Sequence, residues 1–200
     1  MKGSLIIVGF FVLGTIAGVC HLLPFDIAET KISYYALCAL MFSVGLSVGN
    51  DPQTLKNFRS LNPRLVFLPV MTILGTLAGS AAVSLILTHR SVTDCLAVGS
   101  GFGYYSLSSI FITEYKGAEL GTIALLANIT REILTLLAAP LLVRWFGNLA
   151  PISAGGATTM DTTLPIITRT AGQQFVVVSI FHGFVVDFSV PFLVTLFCSI

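Results

Sequence analysis

Long apolar runs separated by short polar stretches fill this chain, and their lengths predict helices that cross a membrane. Residues 3–23 form the first run and 32–50 the second, joined by a short loop, Pro24–Lys31. The third, Leu65–Thr88, contains no Asp, Glu, Lys or Arg. Each approaches the roughly 20 residues that a helix needs to cross a hydrocarbon core about 30 Å thick. The fourth is broken. Val92–Val98 is too short to span, and Gly99-Ser100-Gly101-Phe102-Gly103 continues a helix only at high cost before Tyr104–Tyr115 resumes it. The fifth, Gly117–Trp145, is apolar and helix-forming except for Asn128-Ile129-Thr130-Arg131-Glu132. Pro151–Pro165 is too polar for a lipid-facing helix and too apolar for a solvated loop. Its Gly155-Gly156 break, followed by threonines and Asp161, predicts a re-entrant or discontinuous helix. The last run, Gln173–Cys198, is apolar except for His182 and Asp187, with Pro191 placed to kink it. The expectation is an all-α polytopic membrane helix bundle: about seven hydrophobic segments, two of them interrupted or re-entrant, in one domain over residues 1–200.

The polar run of the fifth segment changes this picture most. At 1.5 Å rise per residue, Glu132 lies roughly 18 Å from Leu120, near the bilayer centre. An Arg or Asp at that depth costs about 2.5–3.5 kcal/mol on insertion scales, so charges kept there need protein or water around them. Asn128, Arg131, Glu132 and Thr135 follow i, i+3, i+4, i+7 spacing and share one helical face.

Composition agrees with a membrane setting. The chain is 55% hydrophobic and 10% charged, whereas a soluble domain carries about 25% charged residues. A net charge of +1 says nothing about nucleic acid, and no basic cluster suggests such a partner, so none is expected. Cys20, Cys38, Cys95 and Cys198 show no metal-ligand or disulfide spacing and read as small buried hydrophobes. Ile16–Cys20 loosely resembles a lipoprotein cleavage site, but Val19 fits poorly and the run is long for a signal peptide, so it is read as a spanning helix. Gly14…Gly18, Gly45…Gly49 and Gly75…Gly79 permit close helix packing. Counting loop charges places Lys2, Lys56, Arg59, Arg64 and Lys116 on one side and Lys31, Arg90 and Arg144 on the other. That bias puts the N-terminus in the cytoplasm of a multi-pass inner-membrane protein, and the C-terminus outside if residues 155–165 span.

Two interrupted segments flanking a helix with a buried acid and base point to a secondary-transporter site. Glu132, Asp161 and Asp187 are the candidate cation ligands. For Glu132 the alternative is a structural ion pair, and for Asp161 a helix cap at Thr162. Arg131 is expected to pair with Asp161 or Asp187, or to bind a substrate carboxylate. Asn128, Thr130, Thr159 and freed amides near Gly101 and Gly156 would orient that carboxylate. His182 is either a hydrogen-bonded core residue or a proton relay, and the Tyr104-Tyr105 pair either a cavity wall or packing. No catalytic residue, metal ligand or cofactor is expected. The Tyr-Asp and Gly-x-Gly-Asp contexts of an intramembrane aspartyl protease are absent at Asp161 and Asp187, and no Gly-x-Ser-x-Gly surrounds Ser106 or Ser108.

Taken together, Gly99–Ser109, Asn128–Glu132, Gly155–Asp161 and His182-Gly183-Phe184 resemble the LysO lysine-exporter family of bacteria, over essentially the whole chain. The resemblance implies export of L-lysine and lysine analogues, and implies that the intramembrane acids Glu132 and Asp161 matter. It matches the C-terminal two-thirds of longer family members. That implies either a small membrane partner supplying the missing N-terminal helices or a homo-oligomer. Antiport with protons is the simplest mechanism. Sodium/proton exchange, or a subunit that needs a partner chain, are the competing readings.

Overall fold

The computed structural model describes residues 63–87 and 89–200, with isolated helical positions at 13, 16, 17, 35 and 42 before them. The chain divides into two compact units, Met1–Met41 and Phe42–Ile200, and the described stretch belongs to the second. The first two predicted segments, their glycine spacings, Cys20, Cys38 and the loop charges from Lys2 to Arg59 lie outside the described residues.

All regular structure among the described residues is helical. A single turn, Pro63–Val66, leads into α1 (Leu68–Ser84), whose Pro69 sits in the first turn, where its missing N–H takes no partner away. The chain then turns into α2 (Val92–Gly99). Ser91 caps it, its hydroxyl accepting the Asp94 N–H at 3.0 Å. After the glycine break comes α3 (Tyr105–Lys116).

α3 does not carry on in the direction of α2. Lys116, at its end, pairs with Asp94 at the start of α2 across 3.8 Å. Arg90, just before α2, pairs with Glu119, just after α3. The two half-helices therefore form a re-entrant hairpin that leaves by the end it entered. Of the two forms expected for the broken segments, interrupted or re-entrant, this one has the hairpin form. The reversal is made at Phe102 (φ 46°) and Gly103 (φ 93°), backbone that a continuing helix does not adopt.

Gly117 then turns the chain into α4 (Ala118–Phe146), whose 29 residues extend about 44 Å, more than enough to cross a bilayer core. A second hairpin follows: α5 (Ala150–Gly155), a 3₁₀ turn (Gly156–Met160) and α6 (Leu164–Ala171). Ile152 of α5 and Ile167 and Ala171 of α6 are buried in one apolar cluster with Val178, near the start of α7 (Val176–Ser199). Val143, near the end of α4, and Leu68, at the start of α1, pack against it. Both feet of this hairpin thus stand at the Arg144 end, opposite the Lys116 end where the first hairpin stands.

Helix α1 with the first hairpin, and α4 with the second, are accordingly two like units in opposite orientation. This is the inverted-repeat arrangement. α7 packs across both. Among the described residues, α1, α4 and α7 run from one end of the bundle to the other, and the two hairpins do not. Arg90 and Lys116, which loop counting placed on opposite sides, share one end, and Arg144 and Arg169 share the other.

Leu126, Ile133, Leu134, Leu137 and Leu141 leave an exposed apolar stripe along α4, as Phe188, Phe192 and Leu196 do along α7. Both α4 and residues 173–199 are long and apolar enough to cross a membrane. Among the described residues, the Gly75…Gly79 spacing is not where helices touch: none of their atoms lies within 4 Å of a Cβ built at either position. The close approach is at Gly99, where a Cβ would sit 2.0 Å from Ser80 Oγ.

Candidate functional site

The two hairpins enter from opposite ends and their tips meet. The Phe102 carbonyl, at the tip of the first, accepts the Ala157 N–H of the second at 2.9 Å. A Cβ on Gly156 would lie 2.2 Å from that same carbonyl oxygen, and Gly156 has φ 63°, so glycine is required there on both counts.

Asn128, in mid-α4, holds the first tip. Its Oδ1 accepts the Gly103 N–H at 2.8 Å, and its Nδ2 donates to the carbonyls of Val98 (3.1 Å) and Ala124 (2.9 Å). Gly101 packs so closely on Asn128 that a Cβ there would sit 2.4 Å from Nδ2. The other amides of the tip are also taken: Gly101 by Val98, Phe102 by Gly99, Tyr104 by Gly101 and Tyr105 by Gly103. Asn128 and the amides near Gly101, expected to orient a substrate carboxylate, are thus engaged on the protein itself in this structure. Lipid offers an amide no partner, so the chain supplies its own.

Arg131 holds the second tip, and here too the expected partner is corrected. Its Nε donates to the Ala154 carbonyl at 2.8 Å, Nη2 to Ser153 at 3.1 Å and Nη1 to Thr76 Oγ1 at 3.3 Å. Its guanidinium carbon lies 5.8 Å from the Phe102 ring centroid. The carbonyls at the C-terminus of α5 have no helical partner, and a planar cation suits them. Arg131 thus clamps carbonyls rather than Asp161 or Asp187. Thr135, one turn on, is buried against Gly155.

Thr159 and His182 complete the clamp. The Thr159 hydroxyl lies 2.9 Å from the carbonyls of Gly156 and Ser179 and 3.2 Å from His182 Nδ1, while His182 Nε2 lies 2.9 Å from Thr72 Oγ1. Thr159 has one hydrogen and gives it to a carbonyl, so His182 donates from Nδ1 and accepts from Thr72 at Nε2. Of the two readings left open for His182, the hydrogen-bonded core residue is the one its contacts describe. Thr159 is likewise engaged on protein. Thr130 is exposed on α4 and not turned toward the tips.

The acids are arranged differently from the expectation. Glu132 is half-buried on α4, and no hydrogen bond or ion pair among the described residues joins it to Asp161. Asp161 is exposed directly after the second tip. Its Oδ1 accepts the Thr162 N–H at 2.5 Å and its carbonyl the Leu164 N–H at 3.3 Å, in the turn before α6, whose N-cap is Thr163. Asp187, in mid-α7, is only 5% exposed. Asp161, Asp187 and Tyr104 lie within electrostatic reach of one another, bringing together the two tips and α7.

Sequence reading missed the partners on α1. Thr72, Thr76, Ser80 and Ser84 recur every fourth residue in an otherwise apolar helix. That polar stripe faces His182, Arg131 and Gly99 in turn, and it was the available signal. Between α1, α2 and α4 runs a groove of about 700 Å³, with Arg90 and Asp94 at one end and Asn128 and Arg131 at the other.

Opposed hairpins whose tips meet make an inverted repeat, an arrangement also found among membrane transporters. A family model described as lysine exporter LysO matches residues 8–198, and the chain belongs to that family. It is 36% identical over 196 residues to the lysine exporter LysO of Escherichia coli K12, covering 98% of this chain and 64% of that protein. It is 35% identical over 165 residues to a Haemophilus influenzae protein named "Putative lysine exporter", covering 82% of this chain and 83% of that one. No solved structure matches the chain.

Proposed function

We propose that this chain forms the transport pathway of a secondary exporter that moves L-lysine, and lysine analogues, out of the bacterial cytoplasm by antiport with protons. The observation that carries the reading is the meeting of the two hairpin tips beside Asp161 and Asp187, halfway along an inverted repeat. The lysine-exporter names of the relatives support the substrate. Lysine is a net cation, and moving one positive charge out of a cell with a negative interior costs about 2.3 kcal/mol per 100 mV. Export therefore needs coupling, and carboxylates that bind either ammonium or proton provide it by competition. Asp161, open at the tip, receives an ammonium group, and Glu132 is a further acid on the route.

The Arg144 end faces the cytoplasm in this reading. It carries Arg144 and Arg169, and Lys56, Arg59 and Arg64 immediately precede α1 in the sequence. At the opposite end, Arg90 and Lys116 are each paired with a carboxylate. Release of labelled lysine from vesicles containing the purified protein tests the proposal. An opposing pH gradient is expected to accelerate release. Release that ignores the gradient removes the proton clause. Absence of release, together with absence of thermal stabilisation by lysine, overturns the lysine reading in favour of small-cation exchange.

A further inference from the structure

Two cavities meet at Thr76. The groove between α1, α2 and α4, about 700 Å³, runs from Arg90 and Asp94 to Arg131 and is lined along α1 by Thr76, Gly79 and Ser80. A second cavity, about 340 Å³, lies between α1 and α5 toward the Arg144 end. Met71, Thr72, Gly75 and Thr76 line it on one side, Ser153 and Ala154 on the other. Both volumes fall in the range of about 300–1,000 Å³ typical of small-molecule sites. Thr76 stands at the middle of α1 (Leu68–Ser84), about 12 Å from each end of that helix. What parts the cavities is one side chain and its partners. Arg131 lines the first, and the three residues it bonds, Thr76, Ser153 and Ala154, line the second.

Those three bonds are unequal. Nε and Nη2 hold carbonyl oxygens at 2.8 and 3.1 Å and so keep the second hairpin in place. Nη1 reaches a neutral hydroxyl at 3.3 Å, beyond the usual span of about 2.7–3.2 Å for an N–H···O bond. A carboxylate bonds a guanidinium about twice as strongly as a neutral acceptor does. An anionic oxygen arriving through either cavity therefore displaces the hydroxyl and leaves the carbonyl clamp standing. Helix α1 suits such an approach. Thr72, Thr76 and Ser80 set hydroxyls along it at four-residue spacing, while Gly75 and Gly79 put no side chain in the way.

We infer that this partition is the carboxylate site and the gate of the transport route: the α-carboxylate of an amino acid takes the place of Thr76 on Arg131 Nη1, and the contact between α1 and α4 that keeps the two cavities apart opens as it does. This assignment rests on the transport reading above and deepens it. Acids recognise amines of any kind. Arg131 recognises the opposite end of an amino acid, and so rejects amines that lack a carboxyl group.

The test uses the full chain and two readouts. The first is ligand binding by the purified protein, read as thermal stabilisation. Cadaverine, which is lysine without its carboxyl group, should bind about tenfold more weakly than lysine or worse. Thr76→Val removes the competing hydroxyl at nearly constant shape. Lysine affinity should then tighten several-fold with cadaverine affinity unmoved, and Thr76→Ser should match wild type. A merely structural bond would lower the unfolding temperature and leave affinity where it was. Equal affinity for lysine and cadaverine, or lysine affinity unchanged in a folded Thr76→Val, overturns the carboxylate site. Should that variant elute as aggregate in size exclusion, the cadaverine comparison in wild type decides. The second readout is Cys95, on the groove wall, in a chain carrying Cys20→Ser, Cys38→Ser and Cys198→Ser. A membrane-impermeant thiol reagent should modify it from the Arg90 side alone, compared between right-side-out and inverted vesicles without substrate. Equal modification from both sides overturns the gate. Binding of another amino acid in place of lysine, tightened in the same way by Thr76→Val, would mean that the carboxylate site is right and the lysine reading wrong.

Discussion

The two hairpin tips solve one problem in unlike ways. The first, Gly99–Gly103, is closed upon itself. Its amides are bound within the turn or to Asn128, and a Cβ at Gly101 or Gly103 would meet atoms already in place. The second, Gly155–Thr163, is held by Arg131 on the Ser153 and Ala154 carbonyls just before it and by His182 on Thr159, and it carries the exposed Asp161. Both tips bond within themselves and are held by a side chain of α4; the second is held by α7 as well, and it is the one that carries the open carboxylate. Inverted repeats therefore need not be equal in chemistry even where they match in topology.

The contrast can be broken most severely where the tips touch. Gly156→Ala places a methyl against the Phe102 carbonyl in a left-handed backbone. It is expected to destabilise by about 3 kcal/mol or more, read as a lowered unfolding temperature in detergent and lost flux. Arg131→Lys keeps the charge but not the fork that spans two carbonyls. A loss of about 2–3 kcal/mol is expected by the same thermal measurement, and a lysine that restores full stability would refute the clamp. Asn128→Asp retains the acceptor for Gly103 and loses both donations, at a cost of about 2 kcal/mol; lysine flux should fall no further than stability does, because the residue holds the first tip and does not touch substrate. Thr72→Val removes one partner of His182 and should cost about 1 kcal/mol, and the loss should vanish in a His182→Leu background. Thr130→Val, on the exposed side of α4, should stay within about 0.5 kcal/mol of wild type in both stability and flux.

Much of this was legible beforehand where polar residues interrupt hydrocarbon. The runs at 99–103, 128–132 and 155–163 are the three places where the hairpins and α4 meet. Of the four residues that spacing places on one face, Asn128, Arg131 and Thr135 are turned to the tips, while no hydrogen bond among the described residues joins Glu132 to either. What the pattern could not supply is direction. Val92–Val98 and Tyr104–Tyr115 together have about the length of one spanning helix, and hydropathy records length without recording whether the chain turns back. The partners of Arg131 were hidden for another reason: every residue carries a carbonyl, so Ala154 and Ser153 bear no mark in the sequence. A search among acids for the counterpart of a buried cation was bound to pick Asp161 or Asp187. Asp187 was visible only as one acid in an apolar helix, since its neighbourhood with Asp161 and Tyr104 is made by folding.

The return of both hairpins to their own ends has a practical consequence for topology mapping. Five crossings and three are both odd numbers, so a reporter enzyme fused after Ile200 would sit in the same compartment under either count and could not tell them apart. Parity conceals the reversal. Reporters inserted at Gly117 and Gly147, the exposed turns on either side of α4, would expose it: relative to the start of α1, each would appear in the compartment opposite to the one that counting apolar stretches assigns.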